Sequence, residues 1–325
     1  MPVTLHRRAV LSGLAAFAAP SVARAQAWPT GRSIRIVCPF TPAGATDVLA
    51  RLLAQKFGEL WSANVVVENK PGAGGNIGTE QVARGEADGS QILIVSVGMA
   101  TNRFLYPKLS YDPVADFAPA SLVALVPNIL VAGHHVPAGS TAELVAYCKA
   151  NPGKVTFASS GVGTSVHLSG ELFKRLAGVE LVHVPYRGTG PALTDMMGGR
   201  VDIMFDNITA SYPQVQAGKV KAFGITTAKR SPNAPELAPV AETLPGFDVS
   251  SWFALYLPAK TPKEIVARVE ADTAKAVADP LVRSRIAALG GEPVGSTGPE
   301  LDAHLKAEMA RWGKLIQEAG IKADG

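Results

Sequence analysis

Three loops rich in glycine, serine and threonine hold the residues from which chemistry is expected. Thr41-Pro42-Ala43-Gly44-Ala45-Thr46 leads into Asp47, Ser159-Ser160-Gly161-Val162-Gly163-Thr164-Ser165 leads into His167, and Tyr186-Arg187-Gly188-Thr189-Gly190 forms the third. Each follows a strand-like run and precedes a helix-like one. Small residues let the backbone approach a ligand closely, and the free amides and positive dipole end of a helix start favour a carboxylate or phosphate. The same residues also suit plain turns, because Thr46 and Thr164 are good N-caps and tight βα connections need glycine with or without a ligand.

Other chemistries find less support. A hydrolase needs a nucleophile elbow or a nucleophile paired with a base, and no G-x-S-x-G occurs in the chain. His167, in the first turn after Thr164, reads as a capping or packing histidine ahead of a general base. Asp47 complements the helix dipole and would equally accept a hydrogen bond from a ligand's amino or hydroxyl group. Asp206 ends an apolar run, where ligand contact and loop capping compete. The stretch Lys70-Pro71-Gly72-Ala73-Gly74-Gly75-Asn76-Ile77-Gly78 fails the dinucleotide pattern, since isoleucine stands where the third glycine is required, and it reads as a turn before a helix. The six histidines show no HExxH, and no Cys-x-x-Cys occurs, so neither a metal nor a cofactor is expected.

The elements that must position these loops alternate. Apolar runs at 34–40, 64–68 and 91–97 read as strands, and helical spacing at 47–61 and 76–84 separates them, which predicts a parallel sheet with helices on both faces. A long apolar stretch, 121–132, contains Pro127, which cannot donate into a central ladder, so a crossing between lobes is predicted near 125–128. A second series follows with strands at 154–158, 179–184 and 201–206 and helices at 164–177 and 191–197, Gly178 being a helix stop. The strand at 220–226 is predicted to return the chain to the first lobe. A strand at 252–257 and helices at 262–278, 280–289 and 299–319 complete it.

The first 27 residues place a basic His6-Arg7-Arg8 before the apolar stretch 9–19 and the Ala-x-Ala sites Ala23-Arg24-Ala25 and Ala25-Gln26-Ala27. That order is an export signal, too short in its apolar run to span a bilayer, and its paired arginines resemble a twin-arginine signal. Without Arg7, Arg8 and Arg24 the formal charge falls from +4 to +1, and no basic run remains to serve a nucleic-acid or lipid-surface patch. About 300 residues then remain, more than one core usually serves. The division expected is 1–27 export signal, 28–124 with 225–325 as lobe 1, and 125–224 as lobe 2. Cys38, inside an apolar strand, and Cys148, late in a helical stretch, read as two buried free thiols despite the oxidising destination.

Several segments, in order, resemble one family. Ile36-Val37-Cys38-Pro39-Phe40-Thr41-Pro42-Ala43-Gly44-Ala45-Thr46-Asp47 with Ala50-Arg51 is similar to the start of the Bug family, the TctC-like receptors of tripartite tricarboxylate transporters. So are Val67-Glu68-Asn69-Lys70-Pro71-Gly72-Ala73-Gly74-Gly75-Asn76-Ile77-Gly78, Gly163-Thr164 with His167-Leu168, Val184-Pro185-Tyr186-Arg187-Gly188, and Trp252 with Pro258-Ala259-Lys260-Thr261-Pro262. The resemblance implies an α/β, type II-like periplasmic binding protein of two lobes, each a mostly parallel sheet flanked by helices, with the ligand cleft between them. It further implies a monomeric non-enzyme that closes on a small organic acid and hands it to membrane permease subunits. Phe40, Thr41, Ala43, Gly44 and Asp47, with Ser159, Gly163, Thr164 and His167, would hold the carboxylate, and Ser96, Thr101, Tyr186 and Gly188 would wall the cleft. The opening loop departs from the family's Pro-Pro-Gly-Gly form at Thr41 and Ala43, so the ligand cannot be copied from a relative. Dicarboxylate, tricarboxylate and aromatic acid stay open. A secreted hydrolase on the same scaffold, or a receptor that signals to a sensor kinase, are the alternatives.

Overall fold

The computed structural model describes residues 28–323 apart from Ala43 and Arg187; the expected export signal lies outside the described residues. Strand β1 (Ser33–Cys38) pairs in parallel with β2 (Asn64–Asn69) and β3 (Gln91–Val95). Between β1 and β2 runs α1 (Ala45–Trp61), whose buried Leu49, Ala50, Leu53, Phe57 and Trp61 recur at helical spacing and face the sheet. Phe57 and Trp61 stack at 4.2 Å, and the Trp61 indole N–H donates to Asp272 at 2.7 Å. After a single 3₁₀ turn at Ala73–Gly75 comes α2 (Asn76–Ala83), and β3 leads into α3 (Gly98–Leu105), a helix with no counterpart in the sequence reading.

Strand β4 (Phe117–Ala132) is long enough to serve two sets of partners. Up to Pro127 it pairs antiparallel with β9 (Ser250–Pro258), and from Asn128 onward it pairs antiparallel with β7 (Ile203–Asn207). The handover falls at the proline, where the missing N–H costs least because the ladder changes partner there. Beyond the handover, β5 (Thr156–Ser159), β6 (Val182–Pro185) and β7 form a second parallel trio, with α5 (Ser165–Ala177) and α6 (Thr189–Met197) as crossovers. The helix α4 (Thr141–Ala150) precedes this trio, and α7 (Ile208–Gln216), also absent from the sequence reading, follows it.

The strand order β2-β1-β3-β9-β4-β7-β5-β6 therefore has a parallel trio at each end and antiparallel strands in the middle. The sheet is mixed, and the antiparallel pairing of β9 with both β3 and β4 is the element that a reading of successive βα units did not anticipate. The strand β8 (Lys221–Ile225) pairs with the second half of β4, and the chain rejoins beside it at β9 after the excursion 226–249. Thr226 pins the two crossing strands together. Its hydroxyl bridges the Asn128 amide and the carbonyls of Asn128 and Val249, and its own amide donates to Asn128. Helices α8 (Lys263–Ala278), α9 (Pro280–Ala288) and α10 (Gly298–Glu318) cover the sheet, with the short β10 (Glu292–Pro293) paired to β4.

Cys38 and Cys148 are both buried and free, and burial pushes each thiol up to about 11, so both stay protonated. Among the described residues no helix is long and apolar enough to cross a membrane.

Candidate functional site

Four of the loops that leave the carboxyl ends of parallel strands, two on each side of β4, lie in the positions where open α/β sheets take ligands. In the loop from β1 to α1, Thr41, Pro42 and Gly44 are exposed and Phe40 is half-buried, while Ala43 lies outside the described residues. Helix α1 starts at Gly44 without a side-chain cap. Asp47 is held away from solvent, 2% exposed, by Asn69 Nδ2 at 2.9 Å and Arg51 Nε at 2.9 Å. The same Asn69 amide donates to the Phe40 carbonyl at 3.0 Å, so one side chain on β2 fixes both ends of the loop.

In the loop from β3 to α3, Ser96 is half-buried. Thr101 is fully buried, its hydroxyl 3.3 Å from the Val97 carbonyl of its own helix and 3.2 Å from the carbonyl of Gly163 across the interlobe boundary. Asn102 ties α3 to the glycine turn, donating to Gly74 O at 3.1 Å and to Asn76 Oδ1 at 2.6 Å. Phe40 lies against that turn as well, since a Cβ on Gly75 would meet its ring at 3.5 Å. Contacts thus run from the first loop through the glycine turn and α3 to the second lobe.

The loop from β5 to α5 is organised by two imidazoles. Gly161 and Gly163 have φ of 136° and 80°, the left-handed region that glycine alone enters freely, and a Cβ on Gly163 would stand 2.3 Å from Leu105. The Gly163 amide donates to His167 Nδ1 at 3.1 Å, and Thr164 caps α5 by accepting from the His167 amide. His167 stacks on His183 at 4.0 Å, and His183 Nε2 lies 2.7 Å from Ser159 Oγ, which in turn accepts from the Gly161 amide. Ser159 is fully buried and His167 is 3% exposed, and the hydrogen bonds of both run within the loop or to its neighbouring strand. Half-buried Ser160, Gly161, Val162 and Thr164 form its outer face. Asn69 and His183 were missed in the sequence. Asn69 lies in the Val67–Gly78 segment, where nothing marks its partners, and His183 is one polar residue in a short strand.

Burial pulls His167 down to about 3 and His183 to about 4, and the like charge of the neighbouring ring adds to the first. An unfolded histidine titrates near 6.5, so below that pH the unfolded chain binds protons that the folded one refuses. The stabilisation is complete above about 6.5 and is lost as pH falls toward 4. It amounts to several kcal/mol for the pair, because each pH unit between the folded and unfolded titrations is worth about 1.4 kcal/mol. Calorimetric melting between pH 7 and 4 should show this steep loss, and His183→Gln, which keeps a hydrogen-bonding group near Ser159, should flatten part of it.

In the loop from β6 to α6, Tyr186 is half-buried with its hydroxyl donating to Asp195 at 2.9 Å, and its amide donates to Ser159 O. Gly188, φ 129°, begins α6 without a side-chain cap, and nothing lies within 4 Å of a Cβ placed there or at Gly190. Asp206 is fully buried at the end of β7, bonded to Thr189 and Ser211. Apart from Arg187, which lies outside the described residues, the four loops carry no lysine or arginine. Among the described residues no group of three acidic, histidine or cysteine side chains is arranged to hold a metal. The site offers hydroxyls, main-chain amides and aromatic edges, which suits recognition of an oxyanion by hydrogen bonds.

Two βα lobes strung on a shared strand, with loops meeting at the strand ends, define the fold of the periplasmic binding proteins. The periplasmic binding protein BugD has the same fold, with a TM-score of 0.83 at 38% identity over 90% of this chain and 99% of its own. The chain belongs to the tripartite tricarboxylate transporter receptor family, TctC, whose model matches residues 49–321. It is also similar to Rpa4515 of R. palustris, solved with adipate (TM-score 0.86, 39% identity, 91% of this chain and 99% of that one). MatC of Rhodopseudomonas palustris, solved with bound malate, matches with a TM-score of 0.80 at 33% identity, covering 88% and 99%.

Proposed function

We propose that this receptor binds a small organic carboxylate in the cleft between its lobes and delivers it to the permease of a tripartite tricarboxylate-type transporter. The observation that supports this reading is the contact of loops from both lobes at Thr101 and Gly163, which brings together segments rich in hydroxyls and amides and poor in cations. Adipate and malate in two relatives of the same fold support a carboxylate as the ligand class. Within the cleft we assign direct contact to the exposed or half-buried Phe40, Thr41, Gly44, Ser96, Thr164, Tyr186 and Gly188, with Ala43 among them on sequence grounds. The buried Asp47, Thr101, Ser159, Gly163 and His167 then hold those contacts in place. We set the lobe divisions at Pro127–Asn128 and at Val249–Ser250, because the excursion 226–249 packs with the second lobe, the Phe247 ring stacking on Phe205 at 5.8 Å.

The protein is exported by its first 27 residues, acts as a monomer and catalyses no reaction. Ser159 and His183 have the spacing of a nucleophile and base, but Ser159 is fully buried and its hydroxyl is already engaged by Gly161. Affinity near the micromolar range, about −8 kcal/mol, suits a receptor that must release its ligand. The test is a thermal-shift panel of organic acids, amino acids and sugars on mature protein stripped of ligand by unfolding and refolding. A rise in melting temperature confined to carboxylates is expected; turnover of esters or amides, lost in His167→Ala, would favour the hydrolase instead.

Thr101→Val removes the interlobe hydroxyl at nearly constant volume. A loss of about 1 kcal/mol in denaturant unfolding is expected, with weaker ligand binding, because the Gly163 carbonyl loses a buried partner.

A further inference from the structure

Asp206 is a buried acid at the candidate site whose surroundings differ from those of Asp47. Its Oδ1 accepts the Thr189 hydroxyl at 2.8 Å, its Oδ2 accepts the Ser211 hydroxyl at 2.6 Å, and the Asn207 amide adds a third donor. One side chain thereby ties β7 to the first turn of α6 and to α7. Thr189 follows directly on Gly188, in the loop assigned to ligand contact, so the acid stands one hydroxyl behind that loop.

No cation balances it among the described residues, and the charged or titratable groups on the elements packed around it have other partners. On α6, Asp195 pairs with Arg200 and Tyr186; on α7, Tyr212 pairs with Glu236. On α5, His167 accepts from Gly163 and Glu171 pairs with Lys174, while β4 places Ile129 opposite. Burial pushes the carboxyl up to about 6, with the two hydroxyls and the amide drawing it partly back.

We propose that Asp206 is a positioning residue that sets the loop's affinity for a carboxylate through its own charge. Ionised, it holds Thr189 and Ser211 but opposes an anion arriving beyond Thr189. Protonated from solvent, its carbonyl oxygen still accepts one hydroxyl and its new O–H donates to the other, so the geometry persists without the opposing charge. Binding of an anion therefore raises the proton affinity of Asp206 and draws in a proton, and affinity climbs as pH falls toward 6. This inference rests on the carboxylate-receptor reading.

Titration calorimetry with adipate and malate as probes tests it, on the wild type and Asp206→Asn, from pH 8.0 to 6.0 in two buffers of different ionisation enthalpy. The wild type should bind several-fold more tightly at the acid end with net proton uptake, and Asp206→Asn should bind with no pH slope and no uptake. Because the variant risks misfolding, the Asp206 carboxyl is also followed by carbon NMR in the wild type, where either probe should move its titration midpoint upward. A flat wild-type profile with an unmoved midpoint, or a variant that keeps the slope, overturns the proposal while leaving the receptor intact. Absence of binding by any organic acid at any pH overturns the receptor reading and this inference together.

Discussion

Replacing Gly44 with tryptophan is expected to weaken carboxylate binding at least about a hundred-fold, roughly 2.7 kcal/mol, while leaving the fold in place. The two halves of that expectation have separate physical grounds. Gly44 has φ −78° and ψ 167°, an extended conformation open to any residue, and a Cβ there would meet only the Thr41 carbonyl, at an ordinary 3.8 Å. The backbone therefore has no need of glycine at this position. Gly44 is nevertheless exposed in the loop that precedes the uncapped start of α1, and an indole there would occupy the cleft and obstruct closure. Calorimetry for affinity and thermal melting for stability separate the two effects. Unchanged affinity in a folded Gly44→Trp variant would remove the loop from the site.

Phe157→Ala is expected to have the largest effect on stability. The ring is fully buried, stacks on His183 at 4.7 Å and His167 at 6.1 Å, and packs so closely on α5 that a Cβ on Gly170 would come within 2.3 Å of it. Truncation removes the floor under both imidazoles, and a buried Phe→Ala change costs about 3–5 kcal/mol. Against a typical total of about 5–15 kcal/mol that is a large fraction. Urea unfolding should show the midpoint falling with the slope unchanged, as for a loss of stability alone. Because His167 and His183 hold Gly163 and Ser159, ligand affinity should fall with it; a variant of unaltered stability would mean that the stacked rings do not support the loop.

Much of this architecture is legible in the sequence because period and punctuation agree. The spacing of Leu49, Leu53 and Phe57 marks α1, and Thr164 and Gly178 bracket α5 as N-cap and left-handed C-cap. Pro127 marks the point where β4 changes partners. What escaped was set by packing on several sides at once. Helix α3 buries Met99, Ala100, Thr101, Asn102 and Leu105 and has no side-chain cap, so it shows no clean apolar face. Helix α7 carries Pro213 inside it, which reads locally as a break. The antiparallel insertion of β9 depends on where the chain returns after 226–249, which no local pattern encodes. At the site the residue types were visible but their orientation was not. Asp47 and His167, which the resemblance places at the carboxylate, are buried, the first bonded to Asn69 and Arg51 and the second stacked on His183, partners that no local pattern announces.

Whether a carboxylate sits between the lobes on these loops is decided by amide chemical-shift mapping of isotopically labelled, ligand-stripped protein titrated with adipate or with the acid that the thermal-shift panel selects. Saturable shifts are expected at 40–47, 96–101, 159–167 and 186–190, on both sides of the Pro127–Asn128 crossing. Shifts confined to one lobe or lying outside these loops would contradict that placement.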